Sequence, residues 1–237
     1  IRRPPRSTQS RSSAASDVYK RQTLYYFKIP FWRAEVTRLA LFIGGIPFND
    51  YRVEGKEIDD LKATGLLPNN QIAPFKQLPV LDVDGKIIAQ TGAIARYCGK
   101  LSGLYPKDND FEAAQIDQII DTAQDINYLV TLSGRDKEKE RLELARKILA
   151  TKHLPKWFQF LENLLLENKD SNFFVGNKIS IADLAIWRLL GWLSSGLLDG
   201  VPTNILEPYE KINRLREEVY KHPKVNEWML KTYGKII

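Results

Sequence analysis

Apolar and polar residues alternate with two different periods in the first part of the chain. Residues 24–27 form a short aromatic run that ends before Pro30, which is typical of a strand. Residues 33–43 carry apolar side chains three and four apart and are followed by Gly44 and Gly45, which predicts a helix and its end. Residues 48–53 predict a second strand. A strand, a helix and a strand in this order indicate a parallel pair joined by a right-handed crossover.

The pattern then predicts a loop, a hairpin and another helix. Residues 55–76 are polar and contain Pro and Asn, so we expect a loop there. Residues 77–89 hold two apolar runs joined by Asp84 and Gly85, a dipeptide preferred in two-residue hairpin turns. Thr91 is placed to cap a helix that ends near Gly103. The order β-α-β followed by β-β-α is that of a thioredoxin-like domain.

Strand patterns disappear after a polar linker at residues 105–110. Ser180 and Asp183 have the spacing of a capping box at the start of one of the helices that follow. Helical spacing continues through six segments: 111–133, 137–149, 153–168, 181–193, 207–221 and 223–233. The predicted class is therefore α+β, with a thioredoxin-like domain over residues 23–104 and an all-helical domain over 111–237.

The positive charge of the chain is concentrated at its start. The chain holds 35 Lys+Arg against 29 Asp+Glu, and residues 1–22 contribute six basic residues against Asp17 alone. The remaining 215 residues are almost neutral, so the charge argument for a nucleic-acid-binding domain fails for the folded part. We expect residues 1–22 to be a disordered or artefactual tail that resembles translated adaptor sequence. A targeting or RNA-contacting segment is the alternative.

Cysteine, histidine and apolar-run content exclude several kinds of protein. One cysteine, Cys98, rules out a disulfide framework, and its apolar helical surroundings favour a core residue over a nucleophile. His153 and His222 are far apart in sequence, so we expect no metal site. The chain has no run of 18 apolar residues, and we therefore expect no membrane span.

Several motifs, taken in order, resemble one enzyme family. They are LYYF at 24–27, RAE at 33–35, QLPVL at 77–81, DG at 84–85, QTGAIARY at 90–97 and, in the helical half, GN at 176–177 with SIAD at 180–183. Together they are similar to the cytosolic glutathione transferases, and most similar to the sigma class that includes the haematopoietic prostaglandin D synthases. The resemblance covers about residues 23–233. It implies a transferase that conjugates glutathione, as co-substrate, to small hydrophobic electrophiles.

The chemistry of such an enzyme depends on a thiolate, because a thiol is a poor nucleophile. The resemblance places the hydroxyl that would donate to the glutathione sulfur on Tyr26, with Phe27 beside it in the site. Tyr25 is the alternative donor, because neighbouring strand residues face opposite sides of a sheet. A third interpretation is that Tyr26 is only an aromatic core residue. The resemblance also implies a supporting role for Arg33, although one extra residue separates it from Tyr26.

Seven further residues, Pro79 among them, would form the tripeptide site according to the resemblance. Leu78 would pair through its main chain with the cysteinyl part, next to a cis peptide bond at Pro79. The others are Gln77 and Lys62 at the glycyl end, Gln90 and Thr91 at the γ-glutamyl carboxylate, and Asp121 reaching the γ-glutamyl ammonium across a dimer. Solvated side chains are the alternative for Lys62, Gln77 and Asp121, and an ordinary helix cap is the alternative for Thr91.

The resemblance also implies a homodimer in the cytoplasm, with no metal, nucleic-acid or membrane partner. A different class stays open. Related chains serve as lens crystallins or as elongation-factor subunits, so a non-catalytic binding or scaffold protein of the same fold is the alternative. Turnover with glutathione distinguishes the two. Nucleic-acid binding would depend on residues 1–22, and their deletion would abolish it.

Overall fold

The computed structural model describes residues 22–234, and most of the expected tail lies outside this range. The described residues fall into two compact units. Unit 1 contains the chain up to Phe27 and Ile46–Ala89, and unit 2 contains Lys28–Gly45 and the chain from Gln90 onward. Gln22, which we assigned to the tail, is already a buried residue of the first strand.

Four strands and nine α-helices follow one another in the described residues. In chain order they are β1 (Gln22–Phe27), α1 (Trp32–Ile43), β2 (Asn49–Val53), α2 (Lys56–Thr64), β3 (Val80–Val83), β4 (Lys86–Ala89), α3 (Thr91–Ser102), α4 (Asp110–Ser133), α5 (Lys139–Ile148), α6 (Leu154–Glu167), α7 (Ile181–Leu193), α8 (Glu210–Lys221) and α9 (Pro223–Tyr233). A π-helical turn, Leu149–His153, joins α5 to α6. The predicted α+β class and its thioredoxin-like beginning are confirmed.

The sheet of unit 1 has the strand order β2-β1-β3-β4. β1 is parallel to β2 and antiparallel to β3, and β3 is antiparallel to β4. The hairpin turn between β3 and β4 is formed as predicted, since Asp84 and Gly85 both have positive φ angles, 52° and 79°. Asp82 supports it by accepting a hydrogen bond of 2.7 Å from the Gly85 amide. The sequence therefore identifies both the parallel pair and the hairpin.

The loop predicted over residues 55–76 is wrong in its first half, because α2 occupies Lys56–Thr64. Only Leu61 of this helix is buried. The sequence of the helix therefore did not need, and does not show, the apolar stripe of a typical amphipathic helix. The helix ends at Gly65, whose φ of 84° favours glycine. Hydrophobic periodicity therefore does not reveal this helix.

Unit 2 is organised around α7, which is buried on nearly all sides. The capping box predicted at its start is present. The Ser180 amide and hydroxyl each donate to Oδ2 of Asp183 at 2.7 Å, and the Phe174 amide donates to Oδ1 at 2.9 Å. Burial raises the pKa of Asp183 to about 6, against the lowering effect of these hydrogen bonds. The helix start is thus held by a carboxyl group that lies wholly inside the protein.

A buried ionic cluster connects α1 to α9 within unit 2. Glu35 and Arg38 have no solvent exposure and form an ion pair of 2.8 Å. Glu35 also accepts hydrogen bonds from the Trp228 indole at 3.1 Å and from the Tyr233 hydroxyl at 2.6 Å. Buried charges require partners of this kind, because an isolated charge in the interior is strongly destabilising. The C-terminal helix is therefore anchored by a carboxylate of the first helix.

Two buried guanidinium groups hold the segment that follows β1. Arg38 donates to the carbonyl of Ile29 at 3.3 Å, and Arg188 of α7 donates to the carbonyl of Pro30 at 2.5 Å. Burial lowers the pKa of Arg188. These contacts fix the main chain just before α1.

Candidate active site

Tyr25 and Tyr26 face opposite sides of the sheet. The Tyr25 ring packs 5.3 Å from the ring of Tyr51, its register neighbour on β2. Tyr51 in turn donates a hydrogen bond of 2.5 Å to Glu57 of α2. Burial, and then the nearby Asp82 carboxylate, raise the pKa of Tyr25. Tyr25 is therefore part of an aromatic cluster on the side of the sheet that α2 covers.

Tyr26 lies on the other face of β1, where alternate strand residues belong. Its side chain is only 3% exposed, and its ring centroid lies 5.2 Å from that of Phe27. The structure thus separates the two candidate tyrosines by face, and Tyr25 is the one that packs against Tyr51.

A groove of about 520 Å³ lies within unit 1. Four residues that the sequence nominated for glutathione line it: Phe27, Lys62, Gln77 and Leu78. Sequence reasoning missed its other lining residues, which are Ile58, Leu61, Phe75 and Lys76. Two of these lie on α2, where the polar sequence predicted a loop. The groove therefore collects residues from the end of β1, from α2 and from the segment before β3.

The groove has an apolar floor and a polar rim. Leu61 is buried, while the side chains of Lys62 and Gln77 are exposed. Lys76 donates from Nζ to the carbonyl of Ala63 at 2.8 Å, and its backbone has a φ of 51°. The rim thus offers an exposed ammonium group on Lys62 and an exposed amide on Gln77.

The predicted cis peptide bond is present between Leu78 and Pro79. The antiparallel register between β1 and β3 ends at the pair Tyr25 and Val80. Leu78 therefore lies beyond the paired part of β3 while lining the groove. A main chain in this position can accept an additional extended strand.

Thr91 does not occupy the cap position of α3 that the sequence predicted for it. Gln90 occupies the cap position, with a φ of 75° and no side-chain cap hydrogen bond, and Thr91 is the first residue of α3. The Thr91 hydroxyl oxygen is buried and has no hydrogen-bond partner in the described part of the chain. Buried hydroxyls are normally paired. The start of α3 thus presents an unused hydroxyl group together with unpaired helix amides.

Arg33 lies in the first turn of α1, one residue later than the start of the helix at Trp32. Trp32 is fully buried and donates from its indole to Asn127 at 3.2 Å. The Arg33 side chain is partly buried, and among residues 22–234 it has no hydrogen bond or ion pair. The residue before Arg33 is therefore buried in the core, whereas Arg33 keeps part of its side chain in solvent.

Asp117 and Asp121 are joined by one arginine of α3. Arg96 donates to Asp117 at 2.6 Å and to Asp121 at 3.2 Å, and the Tyr105 hydroxyl also donates to Asp117 at 3.0 Å. Asp117 is half-buried, whereas the Asp121 side chain is 69% exposed. Asp121 is therefore the acid of this pair that projects outward.

Cys98 is a core residue, as the sequence predicts. It is fully buried on α3, and burial raises the pKa of its thiol to about 12. Within residues 22–234, we find no cluster of three or more side chains of the metal-binding types. No helix in the same range is both long and apolar enough to cross a bilayer.

Two family models match the chain over most of its described length. The glutathione S-transferase N-terminal domain matches residues 22–100, and the glutathione S-transferase C-terminal domain matches residues 124–232.

Individual relatives match almost end to end. Probable glutathione S-transferase 6 of Caenorhabditis elegans is 34% identical over 212 residues, which are 87% of this chain and 94% of that protein. S-crystallin 4 of Enteroctopus dofleini is 29% identical over 220 residues, 88% of this chain and 95% of that protein. The structure of prostaglandin synthase D of Nilaparvata lugens superposes with a TM-score of 0.76 at 28% identity and covers 89% of this chain and 98% of that one.

The fold and the matches define an enzyme with an N-terminal thioredoxin-like domain followed by a helical C-terminal domain. The chain belongs to the glutathione S-transferase family, with sigma-class-like relatives.

Proposed function

We propose that this protein conjugates glutathione to small hydrophobic electrophiles, with Tyr26 stabilising the glutathione thiolate. One observation carries the proposal: four residues nominated for glutathione from the sequence line a single groove in unit 1. Family membership supports transferase activity in general, and the groove supports the particular residues. No metal takes part in this mechanism.

The groove matches the glycyl end of glutathione in charge. That end carries a carboxylate, which the exposed ammonium of Lys62 attracts and the amide of Gln77 can donate to. Contacts of this kind are worth little in water, about 0.2–1 kcal/mol for an exposed pair. The charge therefore orients the tripeptide, while the apolar floor and the main chain supply more of the binding.

The cysteinyl part of glutathione has one amide on each side, like a residue in a strand. The main chain of Leu78 lies past the end of the β1–β3 register and next to the groove. We assign it the role of pairing with the cysteinyl amides by strand addition. This arrangement holds the sulfur in one place relative to the end of β1, where Tyr26 and Phe27 lie.

In this mechanism, Tyr26 supplies a hydrogen bond that stabilises the thiolate form of the glutathione sulfur. A free thiol with a pKa of about 8.5 is only about 3% ionised at pH 7. One hydrogen bond to a charged group stabilises it by roughly 1.5–3 kcal/mol, and a pKa change of one unit corresponds to about 1.36 kcal/mol. A single phenolic donor on Tyr26 would therefore lower the pKa of the bound thiol by about one to two units, which ionises roughly 30–80% of it at pH 7. Further acceleration comes from orienting the electrophile beside it.

Four residues of unit 2 keep their proposed roles on the strength of family membership: Arg33 as support for the tyrosine, Gln90 and Thr91 at the γ-glutamyl carboxylate, and Asp121 at the γ-glutamyl ammonium of the partner in a homodimer. The unpaired Thr91 hydroxyl and the exposed Asp121 carboxylate are compatible with these roles. We assign the enzyme to the cytoplasm on the same basis.

A scaffold function is the second candidate, because one of the similar proteins is a crystallin. The experiment that separates the two measures glutathione binding by calorimetry and conjugation of 1-chloro-2,4-dinitrobenzene by absorbance, on the same preparation. We expect both binding and turnover. Binding without turnover would favour the scaffold, and the absence of both would contradict the proposal.

The groove itself is tested with a matched pair of variants on α2. Lys62→Gln removes the ammonium that lines the groove, while Lys56→Gln removes an exposed ammonium of the same helix that does not line it. We expect Lys62→Gln to weaken glutathione binding roughly two- to fivefold. Lys56→Gln should leave it unchanged. Equal effects of the two substitutions would remove Lys62 from the site.

A further inference from the structure

The helix α2 forms one wall of the groove assigned to glutathione, although almost none of it is buried. Ile58, Leu61 and Lys62 line the groove, and Leu61 is the only buried residue of the helix. A helix of nine residues is too short to be stable on its own in water. Contacts outside the helix must therefore hold it in place, and one buried leucine makes a small contribution to them.

The first turn of α2 is held by the carboxylate of Glu57. Gly55 occupies the cap position and provides no side-chain cap. In its place, Oε1 of Glu57 accepts a hydrogen bond of 2.5 Å from the Tyr51 hydroxyl, and Oε2 accepts one of 3.3 Å from the amide of Glu54. A negative charge in the first turn also interacts favourably with the helix dipole. Glu57 thus attaches the start of the helix to two points of the preceding chain.

Tyr51 connects this contact to the sheet. It lies on β2 beside Tyr25 of β1 in the parallel register, and the two rings are 5.3 Å apart. The hydrogen bond to the Glu57 carboxylate raises the pKa of the Tyr51 hydroxyl, so the phenol stays protonated as a donor. Hydrogen bonds to charged groups are stronger than those between neutral groups. The start of α2 is therefore joined through one polar contact to a side chain that packs on the sheet.

The other end of α2 is held by separate contacts. The Ala63 carbonyl in the last turn accepts a hydrogen bond of 2.8 Å from Nζ of Lys76. The carbonyl of Gly65, just after the helix, accepts one of 2.8 Å from the Ala73 amide. The helix is thus held by polar contacts at both ends and by Leu61 between them. Loss of the contact at one end would allow the helix to move about the other.

The position of Glu57 in the helix gives its contact a direct effect on the groove. Ile58 and Lys62 are four residues apart and so lie on one helix face, which lines the groove. Glu57 and Leu61, also four residues apart, lie on the adjacent face. That face is fixed by the Tyr51 hydroxyl and by burial. The fixed pair therefore sets the orientation of the pair that lines the groove.

We propose that Tyr51 and Glu57 are positioning residues for glutathione, and that their hydrogen bond holds the groove side of α2 against the glycyl part of the tripeptide. Neither residue lines the groove, so both act through the helix. The inference rests on the function proposed for the groove. Loss of the hydrogen bond weakens glutathione binding and leaves the turnover of bound glutathione unchanged, because Tyr26 is not part of the contact.

The test uses the full chain, with glutathione affinity measured by calorimetry and KM and kcat measured with 1-chloro-2,4-dinitrobenzene. We expect Tyr51→Phe and Glu57→Ala each to weaken glutathione binding about five- to tenfold, and to keep kcat at saturating glutathione within about twofold of the wild type. The double variant should bind no more weakly than Glu57→Ala alone, because the hydroxyl acts through the carboxylate. Glu57→Gln retains an acceptor for the hydroxyl and should bind within about threefold of the wild type.

Asp59→Ala is the control, because Asp59 is the other acid in the first turn of α2, is exposed and does not line the groove. It removes the same charge as Glu57→Ala and should bind glutathione like the wild type. Loss of a negative charge near a ligand carboxylate strengthens binding by itself, so weaker binding by Glu57→Ala alone does not arise from charge.

Circular dichroism establishes that each variant is folded, and Tyr51→Phe carries the test if Glu57→Ala is not. Three results would overturn the inference and leave the proposed function in place: equal affinities of Glu57→Ala and Asp59→Ala, wild-type affinity in Tyr51→Phe, or a lower kcat at saturation with unchanged affinity. A wild-type protein that binds no glutathione would overturn both.

Discussion

The Tyr233 hydroxyl donates a hydrogen bond of 2.6 Å to Oε1 of Glu35, and so joins the last helix of the chain to the first. The same carboxylate pairs with Arg38, which in turn holds the carbonyl of Ile29 just after β1. A contact near the C-terminus therefore supports the segment that precedes α1, across almost two hundred residues of sequence.

Removal of this hydroxyl should destabilise the protein measurably. Tyr233→Phe leaves the ring in place and deprives a buried, charged acceptor of one donor, which costs about 1.5–3 kcal/mol. Urea unfolding followed by circular dichroism measures the loss. Tyr220→Phe, at an exposed tyrosine, is the control and should lie within about 0.5 kcal/mol of the wild type. A Tyr233→Phe variant as stable as the control would show that the contact contributes nothing.

The buried carboxyl of Asp183 predicts a particular dependence of stability on pH. Its pKa in the folded protein is about 6, above the value of about 3.9 in an unfolded chain. The folded state therefore keeps a proton that the unfolded state has released, so this group lowers stability as the pH rises between these values. Between pH 4 and pH 7 the effect amounts to about 2 kcal/mol.

Asp183→Asn isolates that contribution, because asparagine does not titrate. We expect the free energy of unfolding of the wild type to fall by about 2 kcal/mol relative to Asp183→Asn between pH 4 and pH 7. Urea titrations at several pH values provide the comparison. A difference that does not change with pH would contradict the raised pKa. A difference of the opposite sign would show that the Ser180 and Phe174 hydrogen bonds outweigh burial.

Lys76 occupies a backbone conformation that favours glycine, with a φ of 51°. Lys76→Gly and Lys76→Ala both lose the contact from Nζ to Ala63, and only the alanine variant keeps a Cβ atom. We therefore expect Lys76→Gly to be more stable than Lys76→Ala by about 1 kcal/mol, as measured by thermal unfolding. Equal stabilities would mean that the groove segment relaxes to another conformation.

The sequence predicts the sheet well because its signals are local. The parallel pair follows from the strand, helix and strand order, and the hairpin follows from Asp84 and Gly85, whose positive φ angles are intrinsic to the turn. The helix α2 could not be found in the same way, since Leu61 is its only buried residue. Ile58, on that helix, was missed as a groove residue for the same reason.

Local sequence patterns do not indicate which charged residues are buried. Arg38 and Arg188 look like ordinary helix charges, and their partners include residues up to 195 positions away in the sequence. Nothing in the local pattern indicates that both are almost fully buried. The cap position at Gln90 was likewise missed, because its positive φ depends on how the chain enters α3.

The central claim is that Tyr26, and not its strand neighbour Tyr25, donates to the glutathione sulfur. The most direct test compares the pH dependence of 1-chloro-2,4-dinitrobenzene conjugation at saturating glutathione for Tyr26→Phe, Tyr25→Phe and the wild type. We expect Tyr26→Phe to bind glutathione, to lose about tenfold or more of its turnover near pH 6.5, and to recover part of it near pH 9, where the thiol ionises unaided. Tyr25→Phe should stay within about twofold of the wild type. Full turnover by Tyr26→Phe across this range, or the same loss in Tyr25→Phe instead, would contradict the account.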